Sequence, residues 1–178
     1  EGGFGAALGV YDSKSIVNIT DCDFTSNTAS TSGGATTNGF GATSNFTNCY
    51  FLENEAEFGG AINSQNDSAT INITSCIIEL NAGVTGGAIN ISSNGADISP
   101  TPIPFLTVEN NIIQNNLSAD QGAGVKFSGA SALFKNVLIQ NNFITDIANG
   151  IGGAMSINTS DSVNASVDLI NCTIVNNT

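Results

Sequence analysis

The sequence predicts an all-β fold, a parallel β-helix wound from one chain in about six coils, with three short strands in each coil. Three observations carry this. A two-part phrase recurs six times. Short runs alternate apolar and polar residues, which is the strand period, and the phase slips by one between runs. Sustained apolar spacing at three and four residues, the mark of a helix, is absent.

The first part of the phrase reads Gly5-Ala6-Ala7-Leu8, Gly33-Gly34-Ala35-Thr36 and Gly59-Gly60-Ala61-Ile62. It returns as Gly86-Gly87-Ala88-Ile89, Gly122-Ala123-Gly124-Val125 and Gly152-Gly153-Ala154-Met155. The starts lie 28, 26, 27, 36 and 30 residues apart. The second part pairs Cys22 with Phe24 and Asn27, Cys49 with Phe51 and Asn54, and Cys76 with Ile78 and Asn81. It continues with Asn111, Ile113 and Asn116, then Val137, Ile139 and Asn142, then Cys172, Ile174 and Asn177. Self-similarity at a period of 20–50 residues marks a solenoid.

Each element follows from this pattern. Ile89 and Ile91 alternate with polar neighbours in one strand, Ile71 and Ile73 in a second, and Cys76 and Ile78 in a third. The slip across Ile73-Thr74-Ser75-Cys76 requires a bend. A coil of about 27 residues cannot bury its apolar side alone, whereas stacked coils can pair like strands in parallel at about 4.8 Å. The second glycines, Gly34, Gly60, Gly87 and Gly153, fall where a tight turn needs a small residue. Asn27, Asn54, Asn81, Asn116, Asn142 and Asn177 form an inward column whose stacked amides can hydrogen-bond from rung to rung. Residues 1–178 are expected to form a single β-helix domain, as a segment or subunit of a longer stack. Loop insertions are expected near 94–104, which holds Pro100, Pro102 and Pro104, and near 143–151.

Composition narrows the function. The chain has no His, no Arg and only three cations, Lys14, Lys126 and Lys135, with a net charge of -12. That disfavours nucleic acid and anionic lipid, which need clustered cations. No apolar run is long enough for a transmembrane helix. The opening Glu1-Gly2-Gly3-Phe4 already lies inside a repeat, which predicts a mature or internal piece.

No catalytic constellation is legible. Polysaccharide lyases need a strong cation and hydrolases need paired acids. Asp21 and Asp23 flank Cys22 and read as solvated surface. Asp97, Asp120, Asp146 and Asp161 lack calcium-loop spacing, and the glycine blocks lack the Lys and helix of a phosphate site. The expectation is a non-enzyme with no cofactor and no metal. Cys22, Cys49, Cys76 and Cys172 share one column and lack the paired spacing of a metal site. They read as a stack of small hydrophobes, with a disulfide between rungs as the alternative that in-register Cβ vectors disfavour.

Ten Asn-x-Ser/Thr sequons occur. Asn18, Asn45, Asn66, Asn72, Asn90, Asn158, Asn164 and Asn171 are candidate N-glycosylation sites if the source is a eukaryote. Asn18, Asn45 and Asn72 are expected to face outward in one column. Asn116 belongs to the inward ladder and is expected to stay bare; Asn176 completes the ten.

The Gly-Gly-Ala-Ile and Phe-x-x-Asn pair resembles the repeat of the polymorphic membrane proteins, which are autotransporter adhesins, and of related right-handed parallel β-helix surface proteins. The resemblance covers nearly the whole chain. It implies a right-handed turn and an extracellular or cell-surface location. No autotransporter barrel is present, and Ile replaces Phe in four of six coils.

The two ends match. If Glu1 followed Thr178, Gly5 would start a coil six residues after Asn177, the gap found between Asn27 and Gly33. The expected function is therefore an extracellular structural protein, a stalk or filament built by head-to-tail stacking with copies of itself. The alternative is an adhesin module that binds through the loops of coils four and five; deleting 94–104 would separate the two.

Overall fold

The computed structural model describes residues 2–65, 68–93, 104–159 and 165–178. The described residues form twenty-four strands and no helix. They make four parallel sheets of six strands, each joining equivalent strands of successive coils. This is a parallel β-helix of six coils. Each coil has four strands rather than the expected three. In coil three they are β9 (Glu55–Phe58), β10 (Ile62–Gln65), β11 (Thr70–Thr74) and β12 (Ile77–Glu79). The sheets containing these strands are named A, B, C and D in that order. The additional strand is the one in sheet A.

The corners explain the spacing of the phrase. Between sheets C and D a single residue takes the left-handed conformation in every coil: Asp21, Asn48, Ser75, Asn110, Asn136 and Asn171, at φ 53 to 58°. Between D and A the same happens at Ser26, Glu53, Leu80, Asn115, Asn141 and Asn176, at φ 53 to 57°. Asn tolerates this conformation best among residues with a Cβ, which accounts for seven of these twelve positions. Between A and B the first glycine of each block makes the turn, as at Gly59 with φ 64°. The passage from B to C varies in length from coil to coil, and a further insertion, residues 145–151, lies between A and B in the last coil.

Like residues lie in register. Phe24, Phe51, Ile78, Ile113, Ile139 and Ile174 form one file along sheet D. The Phe24 and Phe51 rings stack with centroids 4.8 Å apart and planes 4° apart, so the ring spacing equals the rung spacing. Ile19, Phe46, Ile73, Val108, Phe134 and Leu169 make a second file on sheet C. Phe46 meets Phe51 edge to face across the core. The core is continuous from Phe46 in coil two to Phe134 and Ile139 in coil five. It opens at both ends: Phe24 is half-buried, and Leu169 and Ile174 are each 46% exposed.

The second glycine is needed for close approach rather than for its backbone angle. A Cβ on Gly60 would run into the carbonyls of Gly87 and Ala82 in the next coil. Sheet A lies against this backbone, so its inward file is built of the small residues Ala56, Gly83 and Ser118 before Ile144.

One expected loop takes narrower bounds, and the other lies almost wholly outside the described residues. Phe143–Ile144 is the sheet A strand of coil six, so the insertion expected near 143–151 begins at Thr145, and Ile151 returns to the ladder by bridging Gln121. Residues 94–103 of the coil-four insertion, with Pro100, Pro102 and Asp97, lie outside the described residues. So do Asn66, Asp161 and Asn164.

Candidate functional site

Three ladders of side chains run along the helix axis, and the candidate site is where the longest of them, the inward asparagine ladder, ends. The inward asparagine ladder is continuous. Asn54 Oδ1 accepts from Asn27 N (3.1 Å) and Asn27 Nδ2 (2.9 Å). The same pair of bonds joins Asn54 to Asn81, Asn81 to Asn116, Asn116 to Asn142 and Asn142 to Asn177. The second amide hydrogen reaches a carbonyl of the preceding coil, as from Asn81 Nδ2 to Phe51 O at 3.0 Å. Asn54, Asn81, Asn116 and Asn142 are fully buried and fully partnered, the condition for a buried amide to stabilise rather than cost.

The ladder leaves different groups open at its two ends. Asn27 Oδ1 accepts no hydrogen bond among the described residues. At the far end Asn177 Nδ2 donates only to Ile139 O and Val175 O, and its backbone N–H has no acceptor among them. One end rung thus presents an acceptor and the other presents donors. The same rungs expose the ends of the apolar files.

Cys49 and Cys76 lie in the apolar core, and at these two rungs the column also carries a short ladder of hydrogen bonds. Cys49 N donates to Cys76 Sγ at 3.2 Å, and Cys76 N donates to Asn111 Oδ1. Each thiol in turn reaches a carbonyl, as from Cys76 Sγ to Thr74 O at 3.3 Å. Cysteine here does what Asn111 does one rung later: it takes the N–H left over just past the left-handed corner. Val137 breaks the column because it has no acceptor. All four thiols are unpaired; Cys49 and Cys76 are buried and Cys22 is exposed. Burial pushes the Cys76 thiol up to about 11.

The sequons separate by place. Asn18, Asn45 and Asn72 form the outward column, joined from Asn45 Nδ2 to Asn18 Oδ1 (2.8 Å) and from Asn72 Nδ2 to Asn45 Oδ1 (2.7 Å). Asn171 is exposed at a corner and Asn158 is half-buried, bonded to Gln121. Asn116 is buried in the inward ladder. Asn90 departs from the expectation of a surface site, being only 2% exposed. It occupies the outward file of sheet B, but that file folds into the elbow made by the first glycines. The Cβ of Asn90 lies 2.7 Å from where a Gly86 side chain would begin. Asn90 Nδ2 donates to buried Asn63 Oδ1 at 2.7 Å, and Asn63 Nδ2 and Asn90 Oδ1 have no partner among the described residues.

The expected acidic surface is also visible. Asp21 and Asp23 are exposed; Asp21 Oδ1 accepts from Asn48 Nδ2. Among the described residues no three Cys, Asp or Glu side chains gather as a metal site. An open hollow of about 420 Å³ at sheet A is bounded by residues 28–30, 55–57 and 82–84, with Glu55 and Glu57 exposed. Asp146 closes the turn of the 145–151 insertion: its Oδ1 accepts from Ala148 N (3.1 Å) and Asn149 N (3.2 Å). The Asn149 side chain first, and then those backbone bonds, hold its carboxyl below the usual carboxylate range. The turn presents Ile147 at 89% exposure. No family model, no curated protein and no solved structure matches this chain.

Proposed function

We propose that this chain is a structural element of an extracellular or cell-surface stalk or filament, extended by stacking further β-helix rungs onto its ends. The observation that supports the reading best is the complementarity of the two end rungs. Asn177, with its open N–H and its amide, is suited to Asn27 Oδ1 of a following copy, in the bond pair repeated at every interior rung. The exposed Ile174 and Leu169 would then cover Phe24 and Ile19, continuing both files. Open strand edges favour such pairing. The partner is another copy of the chain or a further stretch of the same solenoid. Glycans on the outward sequons would coat the surface if the source is a eukaryote.

Electron microscopy of the purified protein tests this. The expected result is filaments with an axial repeat of roughly 29 Å, six rungs at about 4.8 Å. Particles that stay one unit long at high concentration, with both end rungs bare, would overturn it. Mass spectrometry of the sequons tests the coat.

The adhesin reading is favoured by one observation, the single apolar side chain held out on the Asp146-closed turn. Rigid, exposed apolar residues make effective anchors at interfaces. If that reading is right, Ile147→Asp abolishes attachment to a target surface while filament length is unchanged.

A further inference from the structure

The acidic charge of this molecule is unevenly spread over its faces. In coils four to six the segment from one left-handed corner to the next reads Asn110-Asn111-Ile112-Ile113-Gln114-Asn115, then Asn136-Val137-Leu138-Ile139-Gln140-Asn141, then Asn171-Cys172-Thr173-Ile174-Val175-Asn176. None of these residues is charged, in a chain of net charge -12. Their outward residues, Ile112 and Gln114, Leu138 and Gln140, and Thr173 and Val175, with the corner asparagines, form the outer side of sheet D. Ile112 and Leu138 stack outward in register as an apolar stripe. Amide ladders flank it, from Asn136 Nδ2 to Asn110 Oδ1 (3.0 Å), Asn171 Nδ2 to Asn136 Oδ1 (2.7 Å) and Gln140 Nε2 to Gln114 Oε1 (2.8 Å). The nearest charges are Lys135 and Glu109, which neutralise each other at 2.8 Å, and Glu79 one rung earlier, whose carboxylate is held by Gln114 Nε2 and the Tyr50 hydroxyl; Asp21, Asp23 and Glu53 lie further along the same side, in coils one and two.

We infer that this uncharged face of sheet D packs side by side against the same face of a second stack, so that filaments of this chain pair laterally. The inference rests on the stacking reading above. Charge supports the choice of partner: two copies of an acidic chain repel wherever their carboxylates meet, and this face is where they can touch. Period supports it as well. A second β-helix laid along the first carries side chains at the same rung spacing, so stripe and amide columns interlock at the three uncharged rungs of each unit.

Area sets when this happens. Five residues by three rungs is roughly 17 Å by 14 Å, or about 240 Å² for each copy. A stable interface needs about 800 Å² on each partner. One unit therefore stays unpaired through this face, while several in line pair through many weak contacts at once. Pairing depends on elongation. A glycan on Asn171, at the corner of the face, would hold neighbours apart.

The test measures filament length and width in unglycosylated protein. The variants are Ile112→Glu, Leu138→Glu and the near-isosteric pair Gln114→Glu with Gln140→Glu, all away from the end rungs, with thermal melts to verify folding. The expected result is wild-type filaments that run at double width or more, and variants that elongate equally but stay single. Variants that bundle like wild type, or long wild-type filaments that stay single at high salt, would overturn the pairing and leave the stacking intact. Failure to elongate would overturn both. Retention of single filaments on an insoluble polysaccharide, lost in Ile112→Glu, would assign the face to a glycan polymer and overturn pairing with a second copy.

Discussion

Asn81 Oδ1 accepts two hydrogen bonds from one residue of the preceding rung, from Asn54 N at 2.9 Å and from Asn54 Nδ2 at 2.9 Å. No water can replace either bond, since Asn54 and Asn81 are both 0% exposed. Asn81→Leu strands both donors of Asn54 and the carbonyl of Phe51, and is expected to cost roughly 2–5 kcal/mol. Asn27→Leu, at the open first rung, is expected to cost about 1 kcal/mol. Urea unfolding of the two variants checks this; equal midpoints would mean the ladder is no more stabilising inside than at its end.

Gly60→Ala tests the close approach of successive coils. The added Cβ meets backbone rather than the end of a flexible side chain, so the coil must shift, at roughly 1–3 kcal/mol. Ala123 already carries a buried methyl at the equivalent position of coil five. Ala123→Gly is therefore expected to cost about 1 kcal/mol or less. Thermal melts of the two variants give the comparison.

Tyr50 gives a signature at alkaline pH. Its phenol donates to the Glu79 carboxylate, and that bond, followed by burial and the nearby carboxylates, pushes it from 10.0 up to about 12. The folded value lies above the unfolded one, so the fold favours the neutral phenol. The contribution is fully present below pH 10.0 and is lost as pH rises towards 12. Tyr50→Phe is expected to flatten stability across that window, measured by denaturant unfolding at several pH values.

The thiols separate by rung. Cys22 is expected to react readily with a maleimide in the native protein, while Cys49 and Cys76 react only on unfolding. Cys76→Asn should fold at near-normal stability, because Asn111 fills the same role in the next coil. Cys76→Val, which offers Cys49 N no acceptor, is expected to lose about 1–3 kcal/mol. Mass spectrometry of labelled peptides and melting curves read the two effects.

Much of this architecture was legible in the sequence. Periodicity alone located six coils and put Phe24, Phe51 and Ile78 into one file, because each of those side chains is large, apolar and inward. The strand in sheet A was hidden for the opposite reason. Its inward residues Ala56, Gly83 and Ser118 are small, since the backbone of the second glycines already fills that space. Coil two hides its core in the same way: Thr36, Asn38 and Ser44 point inward, with Asn38 Nδ2 donating to Ser44 Oγ at 2.8 Å. Alternation correctly set Asn90 on the outer side of its strand but could not reveal that this side folds into an elbow. Nor could the spacing of the cysteines reveal that Asn111 in their column meant hydrogen bonding.

The bonds of the inward asparagine ladder all run one way, from each rung's amide hydrogens to the next rung's oxygen. Turning one unit end over end would set oxygen against oxygen, or hydrogen against hydrogen. Nothing built on this ladder can reverse without breaking it. Any long assembly therefore has two unlike tips, one basic in the Lewis sense and one acidic, and these have reason to grow at unequal speeds.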